Sequence, residues 1–95
     1  MKMRMYCMFD KAISAFTPPF CARTDGEAKR SFAVEVADAK GQIGRHRADY
    51  SLFFIGYYDD SLGLCVSESP FVIAEAISVL NDYEEFAPPP GLRPS

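Results

Sequence analysis

The sequence predicts a small α+β domain, a mostly antiparallel sheet of three or four strands with one or two helices packed on one face. Three observations predict it. Residues 2–9 carry the period of two that belongs to strands, and residues 50–58 form a run apolar on both alternating sets, as in a strand covered on both faces. Residues 24–37 open on a capping box and continue at helical spacing. The order strand, short strand, helix, strand, strand, helix lays helices over an antiparallel sheet.

In residues 2–9, Met3, Met5, Cys7 and Phe9 point one way and Lys2, Arg4, Tyr6 and Met8 the other, as in a half-buried strand. Pro18 and Pro19 cannot donate to a ladder. Residues 13–17 therefore read as a short edge segment and 18–23 as an extended connection, anchored by Phe16 and Phe20. In Thr24-Asp25-Gly26-Glu27, the threonine hydroxyl accepts from the backbone of residue 27 while Glu27 reaches back. Ala28, Phe32 and Val36 form one row and Ala33 and Ala37 the next, with Lys29, Arg30 and Glu35 outside, and the helix ends near Asp38. Residues 39–49 read as a loop with two glycines and a basic tip.

From 50 to 58 both alternating sets are largely apolar, Tyr50, Leu52, Phe54 and Tyr58 against Phe53, Ile55 and Tyr57. Such a strand lies mid-sheet, or has one face on a helix and the other on a partner. Residues 59–63 turn the chain, and 62–67 return antiparallel. Ser69-Pro70 has the form of a cap and first turn, and Ile73, Ala76, Ile77, Leu80 and Tyr83 follow at helical spacing. The domain spans residues 1–86, and 87–95, with Pro88-Pro89-Pro90, form an extended tail.

A chain of 95 residues suits one domain. It buries only about 60–65% of its unfolded surface, so a second copy would add stability. The longest strongly apolar run, 52–58, is far short of the roughly 20 residues of a spanning helix, and no membrane association is expected. Basic and apolar residues alternate at the N-terminus, which describes a strand and not a targeting signal. Cys7, Cys21 and Cys65 are odd in number and include no Cys-x-x-Cys pair, so they read as buried or half-buried free thiols of a reducing cytosol. With His46 the sole histidine, no zinc spacing exists, and neither a metal nor a cofactor is expected.

Charge is uneven. Residues 1–50 hold nine Lys/Arg and six Asp/Glu, whereas 51–95 hold one and seven. Lys40, Arg45, His46 and Arg47 are the densest basic cluster, and on a glycine-flanked loop they suit phosphates. Solvated charges on an exposed loop are the ordinary alternative. With a net charge of −3, any nucleic-acid contact must be local and salt-sensitive. Tyr57 and Tyr58, beside the acidic turn, are the aromatics least expected to be fully buried, and they are candidates for base stacking. No nucleophile–base pair or phosphate-binding glycine loop is present, so neither catalytic residues nor a small-molecule substrate are expected.

Several segments follow one another in a familiar order. They are Met5-Tyr6 through Phe9-Asp10-Lys11, Pro18-Pro19-Phe20, Thr24-Asp25-Gly26-Glu27-Ala28 with Arg30 and Phe32, and Ile43-Gly44-Arg45-His46. Asp49-Tyr50-Ser51-Leu52-Phe53, Ile55-Gly56-Tyr57-Tyr58-Asp59-Asp60 and Leu62-Gly63 complete the series. Over residues 3–66 this order resembles the small nonstructural protein of gokushovirus-type microviruses, phages with single-stranded circular DNA. The chain departs from that pattern at Arg47, where the family carries proline. The resemblance implies a protein of the host bacterial cytoplasm, accessory to viral single-stranded DNA replication, with no catalytic residues to carry over. Single-stranded DNA or replication proteins are then the expected partners. The alternative is a protein–protein module that binds a host or phage protein without DNA contact, and its two-sided apolar strand also admits a homodimer.

Overall fold

A computed structural model describes residues 1–86, and the tail expected at 87–95 lies outside the described residues. The elements are β1 (Lys2–Asp10), β2 (Ala15–Phe16), β3 (Phe20–Ala22), α1 (Asp25–Ala37), α2 (Gln42–Arg45), a 3-10 turn (Arg47–Asp49), β4 (Tyr50–Asp59), β5 (Leu64–Glu75) and α3 (Ala76–Phe86). The strands form one antiparallel sheet in the order β2-β1-β4-β5, with β3 pairing the same edge of β1 as β2. The predicted α+β class is the one the chain adopts. The connection at 18–23 adds a fifth strand, because Pro18 and Pro19 precede the paired residues and remove no donor from the ladder.

The Thr24 hydroxyl accepts from the Glu27 amide at 3.1 Å and starts α1 where the capping box places it. The buried row of α1, Ala28, Phe32, Ala33 and Val36, joins Tyr6, Met8, Leu52, Ala76 and Val79 in one core. Phe32 is fully enclosed there, and burial of such a ring contributes roughly 1.5–3 kcal/mol. The helices thus cover the face of β1 that carries Tyr6 and Met8. Met3, Met5, Cys7 and Phe9 lie on the other face.

The pairing of β1 with β4 shifts in mid-strand. Tyr6 pairs with Phe54 but Met5 pairs with Gly56, so Ile55 is an extra residue in β4. The bulge reverses the alternation beyond it. Simple alternation groups Tyr58 with Tyr50, Leu52 and Phe54, yet the register places Tyr57 opposite Arg4 on the helix side and Tyr58 opposite Met3 on the far side.

The Ser69-Pro70 pair does not start a helix. β5 runs through it to Glu75, and α3 begins at Ala76. Between Gly56↔Ser67 and Phe54↔Phe71, one residue of β4 faces three of β5, so Glu68, Ser69 and Pro70 swell outward. Proline is tolerated at such a bulge on an edge strand, where no ladder donor is required. The acid, the proline and the bulge also blunt this edge against pairing with another chain.

The loop expected at 39–49 contains α2 and the 3-10 turn. Gly44 lets α2 close onto the end of α1, where a methyl group would meet the Asp38 carbonyl.

Candidate functional site

Lys40, Arg45, His46 and Arg47 are all exposed, on the α2 and 3-10 turns that connect α1 to β4. The turns are tied down. The Lys40 amide donates to Asp38 Oδ1 at 3.0 Å, Arg45 N donates to the Gly41 carbonyl at 3.1 Å, and Asp49 N donates to the His46 carbonyl at 2.9 Å. Arg45 Nη2 reaches only Gln42 Oε1, at 3.4 Å. Among the described side chains, none of these cations forms an ion pair.

Tyr57 and Tyr58 do not join them. β4 leaves the basic turn at Tyr50 and reaches Tyr57 seven residues later, about 23 Å along an extended strand. The two tyrosines also face opposite sides of the sheet. The expected basic-plus-aromatic site is therefore divided between two ends of the molecule.

Tyr57 belongs instead to a cluster that spacing along the chain did not reveal. The Tyr6 hydroxyl donates to Asp25 Oδ1 at 2.5 Å. Arg4 Nε donates to the same oxygen at 2.9 Å and lies 3.0 Å from the Tyr6 hydroxyl. Arg4 Nη1 is 3.4 Å from the Tyr57 hydroxyl, and the guanidinium carbon sits 4.1 Å from the centre of the Phe54 ring, a cation–π contact. Burial, then the Asp25 carboxylate, pushes the Tyr6 phenol up to about 12, which keeps it a donor at any physiological pH. The Tyr6 hydrogen bond, helped by Arg4 and opposed by burial, holds Asp25 below the usual carboxylate range. A lowered folded-state pKa stabilises above the unfolded value, and the benefit disappears only as pH falls through the folded value, in acid. One signal in the sequence pointed to this cluster. Arg4 shares a strand face with Tyr6 and Met8, and a cation on a covered face needs a partner.

On the far face, Phe9, Phe16 and Phe53 pack ring to ring at 4.7, 5.5 and 5.9 Å, over a buried Cys7. Among the described residues, no helix crosses them. Cys21 and Cys65 are exposed free thiols rather than the half-buried ones expected, because each lies on an outer strand.

The remaining features serve the fold. A shallow cleft of about 340 Å³ beside Pro18 is lined mainly by apolar groups such as Met8, Phe20 and Ile43, with Glu35 at its side. The Ser51 hydroxyl donates to Glu75 Oε2 at 2.5 Å and Lys11 Nζ reaches the same oxygen at 3.0 Å, tying β4 to β5. Ser51 is only 1% exposed, so nothing in solution reaches its hydroxyl. Among the described residues, no helix is long and apolar enough to cross a membrane, and no three His, Cys, Asp or Glu side chains gather to hold a metal.

A family model described as Phage ORF5 protein matches residues 3–79. Neither a curated protein nor a solved structure matches the chain.

Proposed function

The chain belongs to the Phage ORF5 protein family, and on that premise we propose a non-enzymatic phage protein, accessory to viral single-stranded DNA replication in the host bacterial cytoplasm. The basic turn is its contact with single-stranded DNA. The observation that carries this reading is the exposed set Lys40, Arg45, His46 and Arg47, held on hydrogen-bonded turns and making no ion pair among the described side chains. A backbone already held in place loses little freedom when a phosphate arrives, and each phosphate engaged by the exposed side chains releases counterions.

Anisotropy of a labelled single-stranded oligonucleotide tests the proposal. Binding should weaken from low to physiological salt, and replacing Arg45 and Arg47 together by Ala should lower the slope against log salt by about 1.4. An unchanged slope would remove the turn from the contact.

A second reading draws on the far face of the sheet, where Phe9, Phe16, Phe53 and Val72 present apolar surface that no helix covers among the described residues. Phe16 and Val72 are each nearly half exposed. Such a face suits a protein partner or a second copy. In sedimentation at rising concentration, a second copy appears as a growing dimer that Phe53→Asp abolishes. A monomer throughout would restrict this face to other proteins.

A further inference from the structure

We infer that the ledge formed by Arg4, Phe54, Tyr57 and Phe71, on the helix side of the sheet, is a stacking site for the bases of single-stranded DNA. This rests on the DNA-contact reading above and adds to it a second, base-contacting surface.

The ledge exists because of the two bulges. Ile55 puts Phe54 and Tyr57, three residues apart, on the same face, with ring centres 5.3 Å apart. The swelling in β5 brings Phe71 opposite Phe54, and Val66 stands opposite Tyr57. Here the helix layer stops short. Tyr6 and Leu52 are fully covered, but Phe54 and Tyr57 are only partly so, and Phe71 is 64% exposed. A ring left so open, on the ladder partner of Phe54, forgoes burial that an aromatic side chain ordinarily obtains.

The chemistry of the ledge selects the occupant. The Arg4 guanidinium lies over the Phe54 ring, with Nε engaged by Asp25 and Nη1 beside the Tyr57 hydroxyl. Phe54 and Tyr57 stand edge to face, at 74°, so each offers a separate ring beside the arginine. Aromatic rings beside an arginine are what single-stranded nucleic acids stack their bases on, since every base has a π face. Charge agrees. Lys2 lies on the same strand face one row beyond Arg4, while Arg23 follows the β3 residue that pairs with Arg4, and both are exposed. Of the acids nearby, Asp25 is held by Arg4 and Tyr6 and Asp60 by the N-terminal amine, which leaves Asp59 opposite Lys2 and Glu68 in the β5 swelling.

The sequence contains no tryptophan, so Phe71→Trp places a single indole on the ledge. Its emission should be quenched when a short oligodeoxythymidine is added, and should not change with an abasic oligonucleotide of the same length. In the anisotropy assay, Phe71→Ala should weaken binding of oligodeoxythymidine by about five- to a hundred-fold with the salt slope unchanged, because a ring and no charge is removed. Phe71 is largely exposed, so the variant should fold, and circular dichroism melting checks this. If the parent protein binds but Phe71→Ala binds equally well and the indole is not quenched, the ledge is not the base site, and the basic-turn contact is unaffected. If the parent protein does not bind at low salt, both ideas fall.

Discussion

Replacing Gly56 by Ala should remove about 3–5 kcal/mol of stability, which is much of what a domain this small possesses. Two costs add. The residue has φ +147°, a region that side-chain-bearing residues rarely adopt, and the strain of holding one there is about 1–3 kcal/mol. A Cβ would also lie 2.1 Å from the carbonyl oxygen of Val66 and 3.1 Å from its carbon. Neither atom is the end of a flexible side chain, so the β4–β5 ladder would have to part where it adjoins the bulge. Overpacking of that kind costs a further 1–3 kcal/mol or so. Gly63 is the internal control. It too has positive φ, at +66°, but nothing lies within 4 Å of its Cβ, so Gly63→Ala bears only the backbone term, about 1–2 kcal/mol. Urea titration of the two variants separates the costs. A Gly56→Ala midpoint at or above that of Gly63→Ala would show that the strands do not approach as closely as described.

Gly56 also marks the limit of what alternation can reveal. Period-two reading found β1, the start of β4 and both faces of each, because side chains in a regular strand alternate without exception. One extra residue reverses every side chain beyond it, and an aromatic run such as 53–58 looks equally apolar on either parity. The glycine inside that run was the available sign, since an isolated glycine in a strand commonly marks a bulge or a close backbone approach. The start of helix α1 was legible to the residue, because the Thr24 cap is local chemistry, its hydroxyl accepting from the Glu27 amide, although no hydrogen bond from the Thr24 amide to the Glu27 carboxylate completes the box. Local chemistry misled at Ser69-Pro70, where a cap-and-first-turn pattern sits on an edge strand and the tertiary pairing to β4 prevails.

The candidate site divides along the same line. Lys40, Arg45, His46 and Arg47 are neighbours in sequence, so composition alone gathered them. Arg4, Asp25, Phe54 and Tyr57 are gathered only by the pairing of β1 with β4 and the landing of α1 on them. No spacing rule joins residues contributed by three elements. The geometry also separates two tasks within the DNA-contact reading. The basic turn lies at the end of β4 nearest Tyr50, and the ledge toward the end nearest Asp59. A single strand touching both would run about 20 Å along β4, a span of some four to six nucleotides, within the site sizes of single-strand-binding modules.

Gly44→Ala should lower stability by about 2–3 kcal/mol, or roughly 10–20 °C in melting temperature for a domain of this size. Helix propensity alone predicts the opposite, because alanine inside a helix is favoured over glycine by about 1 kcal/mol. The contact decides the sign. A Cβ at residue 44 would stand 1.8 Å from the Asp38 carbonyl oxygen and 2.6 Å from its carbon, and backbone at the end of α1 cannot rotate away as a side chain does. The turn must therefore lift from α1, and with it Arg45 and Arg47, whose positions depend on the Gly41–Arg45 and His46–Asp49 backbone bonds. Gly41→Ala supplies the contrast. Its Cβ would come within 3.2 Å of the Asp38 carboxylate, which need give by only a few tenths of an ångström, and would meet the Asp38 carbonyl at an ordinary 3.6 Å, so that variant should melt within a few degrees of the parent. Thermal melting should therefore separate the two variants widely, and an oligonucleotide titration below the Gly44→Ala transition should show weakened, less salt-dependent binding with both arginines still present. Equal melting temperatures would mean that α2 does not close on α1, and would remove the tethering on which the basic-turn contact depends.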